Sequence, residues 1–389
     1  MVGIYDFVED DPATDDVVEE HTKGKDNSGH GSHVSGIVAG NTVNVTLNGS
    51  VTTNVSGVAP HANIILYRVC FIGQPPGPDG GGCMSSAILS AIDQAIDDGV
   101  DVINYSIGTD AYNPWIHGDI PLAFLNARNA GIFVAVSAGN AGPNSGTINS
   151  PANAPWVMAV GNATHNRFFG SKVQNLSGGA TTPPADLVGA SLTGGIASRK
   201  IVHAKDFGFA LCGKGAAELG ASCGTNLGLS NPWKGSKPFN GEIVVCDRGT
   251  YGRVEKGKNV MLAGAGGYVL ANTNETGESL VSEEHCLPAA HIGDVDGDVL
   301  RAWLAGGSNH TGSLSGLFLA KADKYADLIH SSSSRGPAEA QVQDTLKPNV
   351  IAPGTSIISA SDVGQEFREL TGTSMASPHV AGAAALVRA

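Results

Sequence analysis

The sequence predicts an α/β fold: a parallel sheet flanked by helices in three layers, with a second, smaller α/β domain inserted in one of its loops. Three observations predict it. Apolar strand patterns and amphipathic helix patterns alternate between residues 62 and 140. From 171 to 317 the chain changes character, with Gly, Thr and short β-like runs dominating. From 318 to 389 the first style returns, which an insertion explains better than two domains in series. The domains are therefore placed at 1–170 with 318–389, and at 171–317. The chain has 389 residues, 41% hydrophobic and only 15% charged, which is enough for a sizeable core, and its 53 glycines suit a loop-rich globular protein.

In chain order, residues 62–69 (ANIILYRV) read as a buried strand. Residues 84–98 place Met84, Ile88, Ala91, Ile92 and Ala95 on one helical face, with Gly99 as the stop. VDVINYSIG (100–108) is the next strand. A helix over Pro121–Ala130 ends at Gly131, and IFVAVSAGN (132–140) is the third strand. Within the insertion, GEIVVCDRG (241–249) and GYVLANT (267–273) read as strands, and 252–266 and 294–307 as helices.

The net charge of −13 repels phosphate backbones and anionic membrane surfaces, which argues against nucleic acid as a partner. No apolar run reaches the ~18 residues of a membrane span. Residues 1–20 lack the basic start and apolar stretch of a secretory leader. The six cysteines show no C-x-x-C spacing, so disulfides fit better than a metal site. Cys70 with Cys83, flanking a Gly/Pro-rich loop, is the first pair expected, although about 15 pairings are open to six cysteines. N-x-[ST] sequons recur, for example at Asn44, Asn48, Asn54, Asn162 and Asn274, and read equally well as polar loops or as glycan acceptors.

Three stretches carry chemistry: NSGHGSHVSGIVAG (27–40), VAVSAGNAGP (134–143) and GTSMASPHVAGAAAL (372–386). A serine hydroxyl is a poor nucleophile until an imidazole takes its proton. Ser374 follows Gly372-Thr373 and opens an Ala-rich helix, whose free N–H groups and positive dipole end favour an oxyanion beside it. Gly372 lets a substrate backbone come close. His30 lies between Gly29 and Gly31 and heads the helix of Val34, Ile37 and Val38. Asn140 ends an apolar strand, where its amide can donate to a developing oxyanion. Singly, each has a plain alternative: a helix cap, a surface histidine, a turn asparagine. Three extended motifs in this order do not arise together by chance.

The three stretches resemble the histidine, oxyanion-asparagine and serine motifs of the subtilisin-like serine proteases. GVDVINYSIG resembles that family's substrate-pairing strand, with Ser106, Ile107 and Gly108 at its end, and SSRGP and KPNVIAPG resemble segments leading to the serine. The resemblance implies peptide-bond hydrolysis, with Ser374 as nucleophile, His30 as general base and Asn140 as oxyanion donor. It also implies protein or peptide substrates, secretion and no cofactor. Within the insertion, residues 239–273 and HCLPAAHI (285–292) resemble a protease-associated domain, which implies control of access or protein contacts rather than chemistry.

The acid of the triad is the piece out of place. The family's Asp ends the first central strand and is followed by Ser/Thr-Gly, whereas Asp6 is followed by Phe7-Val8. GIYDFVEDD (3–11) instead resembles a later segment of larger subtilases, just before the histidine motif. Asp6 is therefore expected not to be the triad acid, which is expected upstream, in a chain that reads as a fragment of a longer precursor. Asp26 and the acidic cluster at 9–16 are weaker substitutes; the cluster reads as a solvated loop, with structural Ca²⁺ as the alternative. The expected function is serine endopeptidase activity. The competing reading is an inactive fragment that acts only as a binding module through its inserted domain.

Overall fold

The computed structural model describes the chain except for Met1 and residues 9–25, 27, 48–50, 73–80, 117, 219–222, 224–227, 322, 339–344 and 362–365. It divides into two compact units, one of residues 1–47, 52–163 and 332–389, the other of 48–51 and 164–331.

The first unit begins with β1 (Gly3–Asp6), α1 (His30–Ala39), β2 (Val43–Leu47) and β3 (Val51–Val55). It continues with β4 (Ile65–Arg68), β5 (Cys70–Ile72), β6 (Gly81–Cys83), α2 (Ser85–Asp97), β7 (Val102–Tyr105), α3 (Asp119–Asn129), β8 (Phe133–Ser137) and β9 (Met158–Ala163). The second unit contributes β10 (Arg167–Ser177), β11 (Leu187–Ala190), β12 (Ile196–His203), β13 (Ile243–Asp247), α4 (Arg253–Leu262), β14 (Gly267–Ala271), β15 (Ala289–Ile292), α5 (Asp294–Ala305), β16 (Thr311–Leu314) and β17 (Phe318–Lys321). The chain then returns to the first unit with β18 (Val350–Pro353), β19 (Ile357–Ala360), β20 (Phe367–Leu370) and α6 (Thr373–Arg388).

In the first unit, β18, β9, β8 and β7 form a parallel sheet in that order, and β1 pairs in parallel with β4. The two-residue period of β8 sorts its side chains. Val134 and Val136 join Phe124 of α3 and Ile88 and Ile92 of α2 in one core. On the other side, Val160 and Ala352 pack on Ala376 of α6, and Val34 and Ile37 of α1 meet Met375. These are the three layers read from the sequence. A Cβ at Gly382 would come within 3.1 Å of the Val38 carbonyl and 2.7 Å of Val58, so α6 approaches α1 as closely as it does only with glycine there.

Strands β4 and β7 do not pair with each other; each borders a cavity of about 1270 Å³. Ile65 and Leu66 line one flank and Val102 and Ile103 the other, while Ile88 of α2 and Ala381 of α6 line its two faces. His30 and Ser106 both lie on its wall.

The second unit is an eight-stranded sheet in the order β11-β15-β14-β13-β12-β16-β10-β17, and β11 also pairs with β10. Strands β12 to β15 are parallel. Its core joins Val245, Val269 and Ile292 to Leu300 and Trp303 of α5, and Val244 and Leu270 to Val260 of α4. The unit bounds differ from 170/171 and 317/318, the positions taken from the change in composition. β10 pairs antiparallel with β17, Gly170 opposite Phe318, so both strands belong wholly to the second unit's sheet. All six cysteines are bridged, as Cys70–Cys83, Cys212–Cys246 and Cys223–Cys286.

Candidate active site

Ser374 is the second residue of α6 and sits where the end of β7 meets that helix. Pro378 lies inside α6, and a proline has no N–H to give to the carbonyl four residues before it. The carbonyl left over is that of Ser374. The hydroxyl of Ser106 donates to it at 3.0 Å, and the Ser374 hydroxyl donates in return to the Ser106 carbonyl at 3.3 Å. Asn104 extends the junction: its Nδ2 donates to Ser106 Oγ at 3.1 Å, and its Oδ1 accepts from Ser377 Oγ at 2.8 Å. The nucleophile candidate is thus fastened to the strand whose end was read as substrate-binding.

Asn140 follows β8 and is exposed. Its Oδ1 accepts from the backbone N–H of Thr373 at 3.0 Å and from the Thr373 hydroxyl at 3.1 Å. The Thr373 hydroxyl oxygen in turn accepts from the Gly139 N–H at 3.2 Å. With the oxygen taken, the Nδ2 group is left to donate beside the first turn of α6.

His30 opens α1 and is half-buried. Gly29 before it has φ 73°, a left-handed conformation that suits glycine. Asp26 folds under this helix start: Oδ1 accepts from the N–H groups of Ser28 at 3.0 Å and Gly29 at 2.9 Å, and Oδ2 from Ser32 at 2.6 Å. Burial alone would raise the Asp26 pKa, but these hydrogen bonds outweigh it and hold the carboxyl below its ordinary value. Burial pulls His30 below 6.5; the charge of Asp26 opposes this and that of Arg368 adds to it. Burial thus favours the neutral imidazole, the form a general base needs. Among the described residues its ring makes no hydrogen bond to Ser374 or to any carboxylate.

Asp6 is committed elsewhere. Its Oδ2 accepts from Arg68 Nη1 at 2.8 Å and its Oδ1 from the Val8 N–H at 3.1 Å, with its side chain only 1% exposed. The parallel register of β1 and β4 sets Asp6 opposite Arg68 and makes this pair unavoidable. The acidic cluster at 9–16 lies outside the described residues. Of the residues named at the end of β7, Ile107 packs against the core, and a Cβ at Gly108 would strike the side chain of Asn149.

Sequence reasoning missed three contributors. Thr373 was passed over as part of a motif, although its hydroxyl orients Asn140. Arg368, whose Nη2 donates to the Ser28 carbonyl at 2.8 Å, reaches the His30 turn from 340 residues away. Pro378 left a readable signal, since a proline inside an expected helix always frees one carbonyl.

The model of the subtilase family matches residues 3–389. Subtilisin-like protease SBT1.7 of Arabidopsis thaliana is 36% identical over 387 residues, covering 96% of this chain and 47% of the relative. Subtilisin-like protease SBT1.4 of the same plant is 35% identical, covering 95% and 46%. The chain thus spans about half the length of the curated relatives it matches. Among solved structures, the psychrophilic subtilisin-like protease Apa1 of Pseudoalteromonas sp. AS-11 matches 94% of this chain and 74% of its own, at 18% identity and a TM-score of 0.42. With the family model matched over nearly its whole length, the chain belongs to the subtilase family and has a subtilisin-like α/β fold.

Proposed function

We propose that this chain carries the nucleophile, base and oxyanion donor of a secreted serine endopeptidase acting on proteins or peptides. Ser374 attacks the scissile carbonyl and His30 takes its proton, then returns it to the leaving amine. The Asn140 amide and the N–H groups at the start of α6 receive the oxyanion. Ser106, Ile107 and Gly108 offer the substrate backbone. The observation that carries this reading is the double hydrogen bond from Thr373 to Asn140 Oδ1, which leaves the amide donor beside Ser374.

The base needs a carboxylate, and Asp6 is held by Arg68. The cavity bordered by β4 and β7, with His30 on its wall, is where an added strand would bring an Asp to His30. Its apolar flanks favour a strand buried on both faces. Without that carboxylate, turnover is expected to fall by about 10⁴, the loss known for this type of triad. The second unit acts in this reading as a protease-associated domain governing access or protein contacts. The three disulfides favour an oxidising compartment.

The second reading, a catalytically silent binding module, is favoured by the bond from the Ser374 hydroxyl to the Ser106 carbonyl, which occupies the proton that His30 would take. A strand peptide of about six apolar residues ending in Asp, added in trans, separates the two. A gain in hydrolysis of a fluorogenic peptide, absent with the Asn-terminated version and with Ser374→Ala, supports the enzyme. No gain with either peptide supports the binding module.

A further inference from the structure

The sequence holds eight N-x-[ST] sequons, at Asn44, Asn48, Asn54, Asn104, Asn162, Asn175, Asn274 and Asn309, and the fold divides them sharply. Asn162 is fully buried in β9, its Oδ1 accepting from Thr355 Oγ1 at 3.0 Å. Asn104 is half-buried in β7, with both ends of its amide engaged by Ser106 and Ser377. Asn175 is exposed, but its Nδ2 donates to Ser313 Oγ at 2.9 Å. A glycan on any of these three would break a packed or hydrogen-bonded position.

Four others are different. Asn44, Asn54, Asn274 and Asn309 are all exposed, and no hydrogen bond holds their amides among the described residues. Two of them share one small element. Asn44 lies on β2 and Asn54 on β3, which pair as a two-stranded ribbon. Val45 is 2% exposed while Asn44 and Thr46 on either side are exposed, so the strand period turns the Asn44 sequon outward. Asn48 falls between the strands, outside the described residues. Three acceptors thus fall within residues 44–54. Among the described residues the ribbon pairs with no third strand, and exposed strand edges in other proteins are kept from associating by charge, proline or cover.

We propose that the β2–β3 ribbon is a carbohydrate-bearing surface, N-glycosylated at Asn44 and Asn54, with Asn274 and Asn309 as acceptors in the second unit. This rests on the secretory reading above. The donor is an oligosaccharide linked through N-acetylglucosamine to a polyprenyl diphosphate. The side-chain amide nitrogen forms a bond to the anomeric carbon, the bond from that carbon to the diphosphate oxygen breaks, the diphosphate leaves with the electron pair, and the amide releases one proton. Glycans at Asn44 and Asn54 cover the ribbon.

The test sends the full chain into the secretory lumen of eukaryotic cells behind a cleavable leader, and recovers the lumenal and secreted protein. Peptide N-glycosidase in ¹⁸O-water then converts each occupied Asn to labelled Asp, read by mass spectrometry. The expected result is label at Asn44, Asn54, Asn274 and Asn309, none at Asn104 and Asn162, and one mass step lost in each of Asn44→Gln and Asn54→Gln. Lumenal chain unlabelled at Asn44 and Asn54 overturns the proposal, and so does label at Asn162 in folded protein. Because the leader forces entry, this outcome is independent of native localisation, which a reporter on the natural protein tests separately.

Discussion

Ser106 and Ser374 exchange hydrogen bonds, each hydroxyl donating to the other's backbone carbonyl, at 3.0 and 3.3 Å. The first of these replaces the helical bond that Pro378 cannot make. The pair joins the strand that would hold substrate to the residue that would attack it, across 268 positions of sequence.

Removing the Ser106 hydroxyl leaves the Ser374 carbonyl without its partner. Ser106→Ala should cost about 0.5–1.5 kcal/mol of stability, the net worth of one part-buried hydrogen bond. Pro378→Ala in the same chain restores an N–H to that carbonyl and should recover part of the loss. Urea denaturation of the two variants and their combination measures the coupling. Purely additive effects would contradict the exchange described here.

Asn140 and Thr373 act as one unit. Asn140→Ala should lower the rate of Ser374 acylation by about 10²–10³, the loss known for an oxyanion amide in this family. Thr373→Val removes only the hydroxyl that orients the amide and should cost roughly tenfold, the equivalent of one neutral hydrogen bond. In the double variant the Thr373 effect should vanish, because there is no amide left to orient. Acylation rates of the four proteins are the measurement.

Asp6 is a structural residue in this account. Asp6→Asn leaves the Arg68 guanidinium, 10% exposed, without its counter-charge. The expected cost is about 3 kcal/mol, typical of a buried pair broken on one side. The acylation rate per folded molecule should stay unchanged. A variant that keeps wild-type stability but loses acylation would return Asp6 to the triad.

His33 makes stability depend on pH. It is fully buried, its Nε2 donating to the carbonyls of Ile357 at 3.0 Å and Arg368 at 3.1 Å, so it ties α1 to β19 and β20. Burial pushes its pKa down to about 4, from 6.5. The unfolded chain therefore binds a proton that the folded chain refuses. Stability from this residue is full above pH 6.5 and is lost as pH falls towards 4, by up to about 3 kcal/mol at 1.36 kcal/mol per unit. The difference in unfolding free energy between wild type and His33→Gln should shrink across that window. A difference that is constant from pH 7 to pH 4 would refute the assignment.

Much of the fold was legible because its signals are local. Apolar periodicity and the glycines at 99 and 131 placed α2, α3 and the strands around them to within a few residues. The Cys70–Cys83 bridge, spanning one loop, was readable for the same reason. What stayed hidden depends on register and on distant pairing. The Asp6–Arg68 pair exists only because β1 and β4 align in parallel. The true edges of the second unit depend on β10 meeting β17, which no change in composition marks. In the site, the motifs named Ser374, His30 and Asn140, but they could not reveal that Ser374 is bonded to Ser106, or that Asp26 is absorbed in capping α1. Residue type and spacing identify what a site can contain; the remaining hydrogen bonds decide which groups are left to react.

The most direct test of the proposed site is covalent labelling with a fluorophosphonate probe, followed by mass spectrometry of the labelled peptide. In folded chain at pH 7, slow labelling is expected at Ser374, abolished in Ser374→Ala and His30→Ala. The rate should fall as pH drops through the His30 pKa, which burial holds below the ordinary histidine value. A folded chain that leaves Ser374 unlabelled, or labels it equally well without His30, would contradict the claim that these residues form a nucleophile and its base.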